Sequence, residues 1–412
     1  MKFLFLLPAF SLGLLQADVT SGEMLMTAAM HGDLKTMESL LSAGADPNVL
    51  LRDGQTPLSF AMLAGQTQAI EMLLAWHADP NAPMNGRFEF SDTPLQYAAQ
   101  SDNFRMASIL IAGGAQVNSK GARGRTALHA AAVNGRLDML RLLIEKGADL
   151  NTRDAEGASP LDDAVWRGAL DTVAILLAHG ARLNEPDTQT GATPINEAAY
   201  RGNAPVVQYL LQFHPDLRVP DKRGYSPLDN AIRMRKEDSA LLLLDAEPKD
   251  LPTPQFLAKT MDGAIGKDEA LLVAALLRHG VPANGILPSG YTPLDAAAFA
   301  GAVKAAGILL DNGADPNITG RDGTTPLEDA SLKGFASIVS MLLDHGGSGT
   351  AALYAAASFG KGDVVKLLLD RGADPNLCGP NSKSPYQAAV ENGFNDVAAE
   401  IKAHGGAGGC RY

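Results

Sequence analysis

Gly124-Arg125-Thr126-Ala127-Leu128-His129-Ala130-Ala131-Ala132-Val133-Asn134-Gly135-Arg136-Leu137-Asp138-Met139-Leu140-Arg141-Leu142-Leu143-Ile144-Glu145-Lys146-Gly147-Ala148-Asp149-Leu150-Asn151 is the stretch that decides the fold of this 412-residue chain. Thr126 reads as a helix N-cap, its hydroxyl able to accept a bond from a first-turn N–H that has no partner inside the helix. Ala131 and Ala132 are small and let a neighbouring helix approach closely. Gly135 ends the helix, because glycine takes the left-handed conformation there without a Cβ clash. A second helix carries the apolar pair Leu142-Leu143 and stops at Gly147. Asp149 and Asn151 then favour a turn through side-chain bonds to local backbone. The unit is helix, turn, helix, extended loop.

The helix-start phrase returns on both sides of this stretch: Thr56-Pro57-Leu58, Thr93-Pro94-Leu95, Ser159-Pro160-Leu161, Thr193-Pro194-Ile195, Ser226-Pro227-Leu228, Thr292-Pro293-Leu294, Thr325-Pro326-Leu327 and Ser384-Pro385-Tyr386. Proline suits the first helical turn, where its missing N–H costs nothing. From Ala127 the steps are 33, 34 and 33, then 66 across one degenerate copy, then 33. Such a period means a stack of small units in which each layer meets its neighbours, instead of one globular core. A stack presents a long open surface.

This pattern resembles the ankyrin repeat family, most closely at Gly124–Asn151 and from Gly290-Tyr291-Thr292-Pro293-Leu294 to Asn317, and extends over roughly residues 21–406. The resemblance implies an all-α solenoid of about twelve helix-turn-helix units with protruding β-hairpin or finger loops. It also implies that finger tips and the ends of first helices line a concave face that binds other proteins. Seven units fit within 18–248, a degenerate one occupies 249–287, and four fill 288–412 with a polar C-terminal cap. Extra residues near 85–90 should lengthen the third finger. The eighth unit reads as having lost its capping phrase, and Pro248, Pro252 and Pro254 make 246–255 the best hinge candidate. His345-Gly346-Gly347-Ser348-Gly349 replaces a hairpin, so a finger should be missing there.

Residues 1–17 stand apart from the repeats. Lys2 precedes an apolar run from Phe3 to Leu15, and Ala17 offers a small residue at a cleavage point, the form of a secretory signal peptide. The expectation is an exported protein, periplasmic or secreted, without stable membrane insertion after cleavage. Two cysteines, Cys378 and Cys410, exclude a disulfide framework. They lie nearly one repeat apart, and two readings stand: a bridge pinning the C-terminal cap, helped by the glycine-rich tail 405–409, or two free thiols. The net charge of −12 argues against nonspecific nucleic-acid or anionic-membrane binding.

A search for chemistry returns little. Gly347-Ser348-Gly349 does not complete the Gly-x-Ser-x-Gly of a nucleophile elbow and lies at the lost hairpin. Gly263-Ala264-Ile265-Gly266-Lys267-Asp268 has its glycines too close for a phosphate loop, with Asp268 where the hydroxyl belongs. His179, His279, His345 and His404 each precede a glycine that ends a second helix, a place where imidazole meets terminal carbonyls. Being repeated at different levels, they do not converge on a metal, and no metal or cofactor is expected. His129 occupies the position from which, by the resemblance, it braces a neighbouring loop. The chain reads as non-catalytic; an enzyme built on the divergent unit 249–287 is the alternative from another class.

The surface remains. Trp166-Arg167 and Tyr200-Arg201 stand at equivalent helix ends, Arg233 follows in the next unit, and Arg123, Arg125, Arg223 and Tyr225 stand on the matching fingers. Tyr291 and Phe299 continue the aromatic line. Trp, Tyr and Arg are the residue types enriched at binding hot spots. These nine residues, Arg123 to Arg233, form the candidate partner-binding strip, expected to receive an acidic or aromatic segment of another protein. A secreted effector acting on another cell would use the same physics.

Overall fold

The computed structural model describes residues 10–50, 54–85, 91–246, 253–349, 351–379 and 382–411, with side chains from residue 21 onward. Twenty-four α-helices run through the described residues in twelve consecutive pairs, from Phe10–His31 with Leu34–Ser42 to Pro385–Glu391 with Asn395–Ala403. They gather into two compact units, one ending at Ser239 and the other beginning at Ala240. That boundary falls inside the helix Glu237–Ala246. Of the candidate hinge, residues 247–252 lie outside the described residues, as do 86–90 of the lengthened finger and 1–9 of the leader. Residues 10–17 belong to the helix that continues to His31. No helix among the described residues is long and apolar enough to cross a membrane.

The helices start where the capping chemistry places them. Thr56, Thr93, Ser159, Ser226, Thr325 and Ser384 close capping boxes with Ser59, Gln96, Asp162, Asp229, Glu328 and Gln387. Each box satisfies two N–H groups that the helix itself leaves unpaired. In the eighth unit Thr253 caps the helix Pro254–Ile265 by accepting from the Phe256 N–H, with Pro254 in the first turn. The capping phrase therefore survives there as Thr-Pro without its leucine, and the divergent unit folds as a helix pair with Ala270–Arg278. Helix ends need a left-handed residue, and Gly135, Gly168 and Gly202 supply it at φ of 63°, 71° and 76°. Where glycine is absent, Asp102, Arg235 and Asp268 take that conformation.

The core of each unit is built from the buried faces of these pairs. In the first unit Leu128, Leu161 and Ile195 from first helices and Leu143, Leu176 and Leu210 from second helices are almost wholly buried. Ala131, Ala164 and Ala198, fully buried, are what let successive first helices pack at close range. Leu294, Leu327, Leu309 and Leu342 do the same in the second unit.

No strand occurs among the described residues, so the fingers are tight turns instead of hairpin ladders. Each closes on itself with few bonds, as in Asp154 N–H to Ala158 O at 3.0 Å and Asp221 N–H to Tyr225 O at 2.9 Å. The asparagine that ends most units does more than form a local turn. Asn118 donates to the Gly147 carbonyl and accepts the Asp149 N–H of the following unit. Asn48, Asn284 and Asn317 repeat that clip. One finger is absent: the helix Ala336–Asp344 is followed almost at once by Ala352–Ser358. Glu328 there accepts the Ala351 N–H at 3.1 Å.

The C-terminal tail completes the second unit. Asn376 clips Gly405 and Ala407, Arg411 pairs with Leu377 in a single parallel bridge, and Cys378 is disulfide-bonded to Cys410 across a Cα–Cα distance of 4.9 Å. The packed-layer spacing of 8–10 Å does not apply to this pair, because the tail lies alongside residues 376–378 through two backbone bonds instead of continuing the stack.

Candidate protein-binding groove

Four consecutive fingers and first helices of the first unit line a groove of about 790 Å³. Arg123, Arg125, Trp166, Tyr200, Arg201 and Arg223 line it. The repeat puts them there: Trp166 and Tyr200 each stand two residues before the glycine that closes a first helix, so their side chains emerge at the same end of adjacent layers. The arginines come from the fingers and from the last helical position. Neighbouring fingers are tied by Ala155 N–H to Arg123 O at 2.7 Å and Lys222 N–H to Thr190 O at 2.8 Å. Arg123 holds φ at 55° on its finger, a conformation that bulky residues seldom take and that places its side chain at the rim.

Arg167, Tyr225 and Arg233 are not part of the lining. Arg167 donates from Nε to the Val133 carbonyl at 3.0 Å, and its guanidinium lies 5.6 Å from the centre of the Trp166 ring. Arg233 covers Tyr225 at 4.0 Å. Trp166 remains 44% exposed even with Arg201 over its face at 4.6 Å.

The strip is not basic, which corrects the sequence reading. Seven carboxylates share the groove with five cations: Asp154, Glu156, Asp162, Asp163, Asp187, Glu197 and Asp221 against Arg123, Arg125, Arg201, Lys222 and Arg223. Arg125 bonds both Asp154, at 3.2 Å, and Asp163. Arg201 pairs with Glu197 at 2.8 Å and Arg123 with Glu156 at 3.8 Å. Asp187 and Asp221 are held by backbone N–H groups of their own fingers. Asp221 also accepts from Asn230, which in turn bonds Asn196. Burial pushes the Asp163 carboxyl up to about 7 although the Arg125 guanidinium draws it down. Asp162, also buried and opposed by its bonds to Ser159, rises to about 6. Arg123, Arg125 and Arg201 thus meet carboxylates of this chain first, and they no longer give a reason for expecting an acidic segment.

The missed carboxylates had a signal. Asp154, Asp187 and Asp221 return at the 33–34-residue step, each three or four residues before a glycine. A repeated finger aspartate is a repeated charge on the concave face. His129 sits beneath the groove, its Nε2 3.1 Å from the Ala158 carbonyl and Nδ1 2.8 Å from the Thr126 hydroxyl, and burial pushes it down to about 4. It therefore braces the next finger as a neutral ring. The histidines at second-helix ends bond within their own helices: His179, His345 and His404 place Nδ1 within 3.0 Å of a carbonyl four residues back.

The second unit carries a related cluster. Tyr291 and Phe299 stack with ring centres 6.1 Å apart, Arg321 lies over the first and Lys333 over the second. Tyr291 donates to Asp322 at 2.6 Å. Asp295 and Asp329, from adjacent first helices, are buried and face each other, and Asp295 rises to about 8 because burial and its Asp329 neighbour both disfavour its charge.

This architecture defines a repeat protein whose usable surface is an open face. The family model for ankyrin repeats in three copies matches residues 25–121, 114–187, 182–252, 309–378 and 327–408, and the single-repeat model matches 289–321. The chain belongs to the ankyrin repeat family. It is 39% identical over 89 residues to the ARF GTPase-activating protein GIT1 of Homo sapiens, spanning 21% of this chain but only 11% of that protein. It is 36% identical to the cyclin-dependent kinase 4 inhibitor B of Mus musculus, across 24% of this chain and 75% of the inhibitor. The ankyrin repeat domain of Bcl-3 superposes with a TM-score of 0.48 at 27% identity, covering 53% of this chain and 97% of that domain.

Proposed function

We propose that this chain is a protein-binding scaffold whose first unit receives a segment of a partner protein in the groove around Trp166 and Tyr200. The supporting observation is the convergence of a half-exposed tryptophan, a tyrosine and several arginines in one 790 Å³ groove on a rigid repeat frame. Residues of these types, clustered and partly desolvated, are the usual anchors of protein interfaces. The mouse relative named for inhibiting cyclin-dependent kinase 4 shares the repeat and is consistent with a binding role. The test is recovery of partners from native extract by wild-type protein and by a Trp166→Ala/Arg201→Ala variant. A lost partner supports the groove, and full recovery refutes it.

The same proposal places the protein outside the cytosol, in a periplasm or secreted. Its supports are the apolar run behind Lys2 and a disulfide that persists in oxidising compartments. Cell fractionation with N-terminal sequencing tests this and separates a periplasmic scaffold from an effector released toward another cell.

A further inference from the structure

In each of the two units, rings at the fingers and first-helix ends carry cations of their own. Arg201 and Arg167 cover Trp166, Arg233 covers Tyr225, Arg321 covers Tyr291 and Lys333 covers Phe299, all within 5.7 Å of the ring centre. Tyr200 occupies the position equivalent to Trp166 and Phe299, two residues before a helix-closing glycine. It lines the groove, and no cation of the described residues lies over it. Around it negative charge is in surplus. Arg125 serves both Asp154 and Asp163. Asp187 and Asp221 are satisfied by N–H and O–H groups without any cation within ion-pair distance among the described residues.

We infer that Tyr200 is the seat for a lysine or arginine side chain of the partner protein, and that the groove's surplus carboxylates supply the countercharge. This rests on the reading of the groove as the partner site. A cation over a partly desolvated ring is favourable, and a long basic side chain passes the rim while its charged head reaches the carboxylates beneath. The net charge of −12 adds long-range attraction for a basic partner. The expectation of an acidic segment is thereby reversed: Arg123, Arg125 and Arg201 are already spent on the groove's own carboxylates, while Asp187 and Asp221 meet none of its cations among the described residues.

The experiment uses the full chain and two fluorescein-labelled decapeptides, alternating Arg-Gly and alternating Glu-Gly, titrated by anisotropy at ~0.15 M salt, where distant surface charge is largely screened. The Arg-Gly peptide binds, Tyr200→Phe keeps that binding, and Tyr200→Ala weakens it by about fivefold or more. Asp187→Asn/Asp221→Asn, whose remaining oxygens can still accept the Gln189 and Arg223 N–H bonds of the finger turns, weakens it about tenfold. Three results overturn the inference: Arg-Gly binding indifferent to Tyr200→Ala, tighter binding of Glu-Gly, or no binding of either peptide up to ~1 mM. If Glu-Gly binds and is lost on Trp166→Ala, the groove remains the partner site and only the cationic occupant is wrong. If the native partner survives Trp166→Ala/Arg201→Ala, the groove reading itself falls.

Discussion

Asn118 and Asp149 are joined across a repeat boundary: the Asn118 side-chain oxygen accepts the Asp149 N–H at 2.7 Å while its amide donates to the Gly147 carbonyl at 3.1 Å. The bond satisfies a carbonyl that the end of the second helix leaves open and an N–H that no helix can use. Removing one such side chain costs about 1–2 kcal/mol, since the two backbone groups lose a fixed partner beside partial solvent access. Asn118→Ala should lower the urea midpoint by that free energy divided by the slope, with the slope itself unchanged. Asn118→Asp, which keeps the acceptor and loses the donor, should cost less. An unchanged midpoint in the alanine variant would show that water replaces the clip.

Buried ionisable groups give the two units different pH limits. Asp295 titrates near 8 when folded against 3.8 in the unfolded chain, so the folded state holds the extra proton. Its stabilisation is complete below about pH 4 and disappears as pH rises through 8. Asp329 shifts in the same direction, and Asp162 and Asp163 of the first unit do so toward about 6 and about 7. His129 has the opposite sign: folded near 4 against 6.5 unfolded, it stabilises fully above pH 6.5 and loses that contribution as pH falls toward 4. Between pH 4 and 6.5 the four carboxylates outweigh the one histidine. These groups therefore make the melting temperature fall along an alkaline limb as pH rises toward 8, and His129 partly offsets that fall below pH 6.5. Asp295→Asn should flatten the alkaline limb. His129→Gln, which installs the side chain that Gln96 already supplies at the equivalent cap position, should steepen the fall between pH 4 and 6.5 by removing the one group of opposite sign.

These groups also mark what the sequence could yield. The Thr-Pro-Leu phrase announces the helix starts because a cap acts within three residues, and the closing glycines announce the ends because their left-handed backbone is a local demand. The phrase is too strict at Thr253, where cap and proline persist and only the leucine is gone. Partners one repeat away are harder to see. Arg125 reads as a free cation until Asp163, 38 residues on, is found beside it. Asn118 reads as a turn residue until Asp149 is placed over it. Trp166, Tyr200 and the groove arginines are legible from equivalent positions in the repeat, but the sign of the groove is not, because each finger aspartate looks like a local turn former.

Arg201 over Trp166 should be visible in solution. Trp76 is the only other tryptophan, so a Trp76→Phe background isolates the Trp166 signal. Arg201→Ala then exposes the ring face that the guanidinium covers at 4.6 Å, and acrylamide quenching of Trp166 should rise. Stability should fall by only about 0.5–1 kcal/mol, the range for a cation over an exposed ring. Unchanged quenching would mean that the guanidinium does not rest on the ring in solution.

The bridge between Cys378 and Cys410 closes a sequence separation of 32 residues that contains the last helix pair. Constraining a loop of that size in the unfolded chain is worth roughly 3–4 kcal/mol by the chain-entropy account. The tail it holds also covers the end of the second unit, where Ser384 donates to the Ala407 carbonyl at 2.7 Å and Asn376 clips Gly405. Reduction, or a Cys378→Ser/Cys410→Ser variant, should raise amide exchange first in Pro385–Glu391 and Asn395–Ala403 and leave the first unit unaffected. The effect is confined because each layer of a repeat stack depends on its neighbours alone. Exchange that rises equally in the helices around Trp166 would show instead that the bridge supports the whole chain.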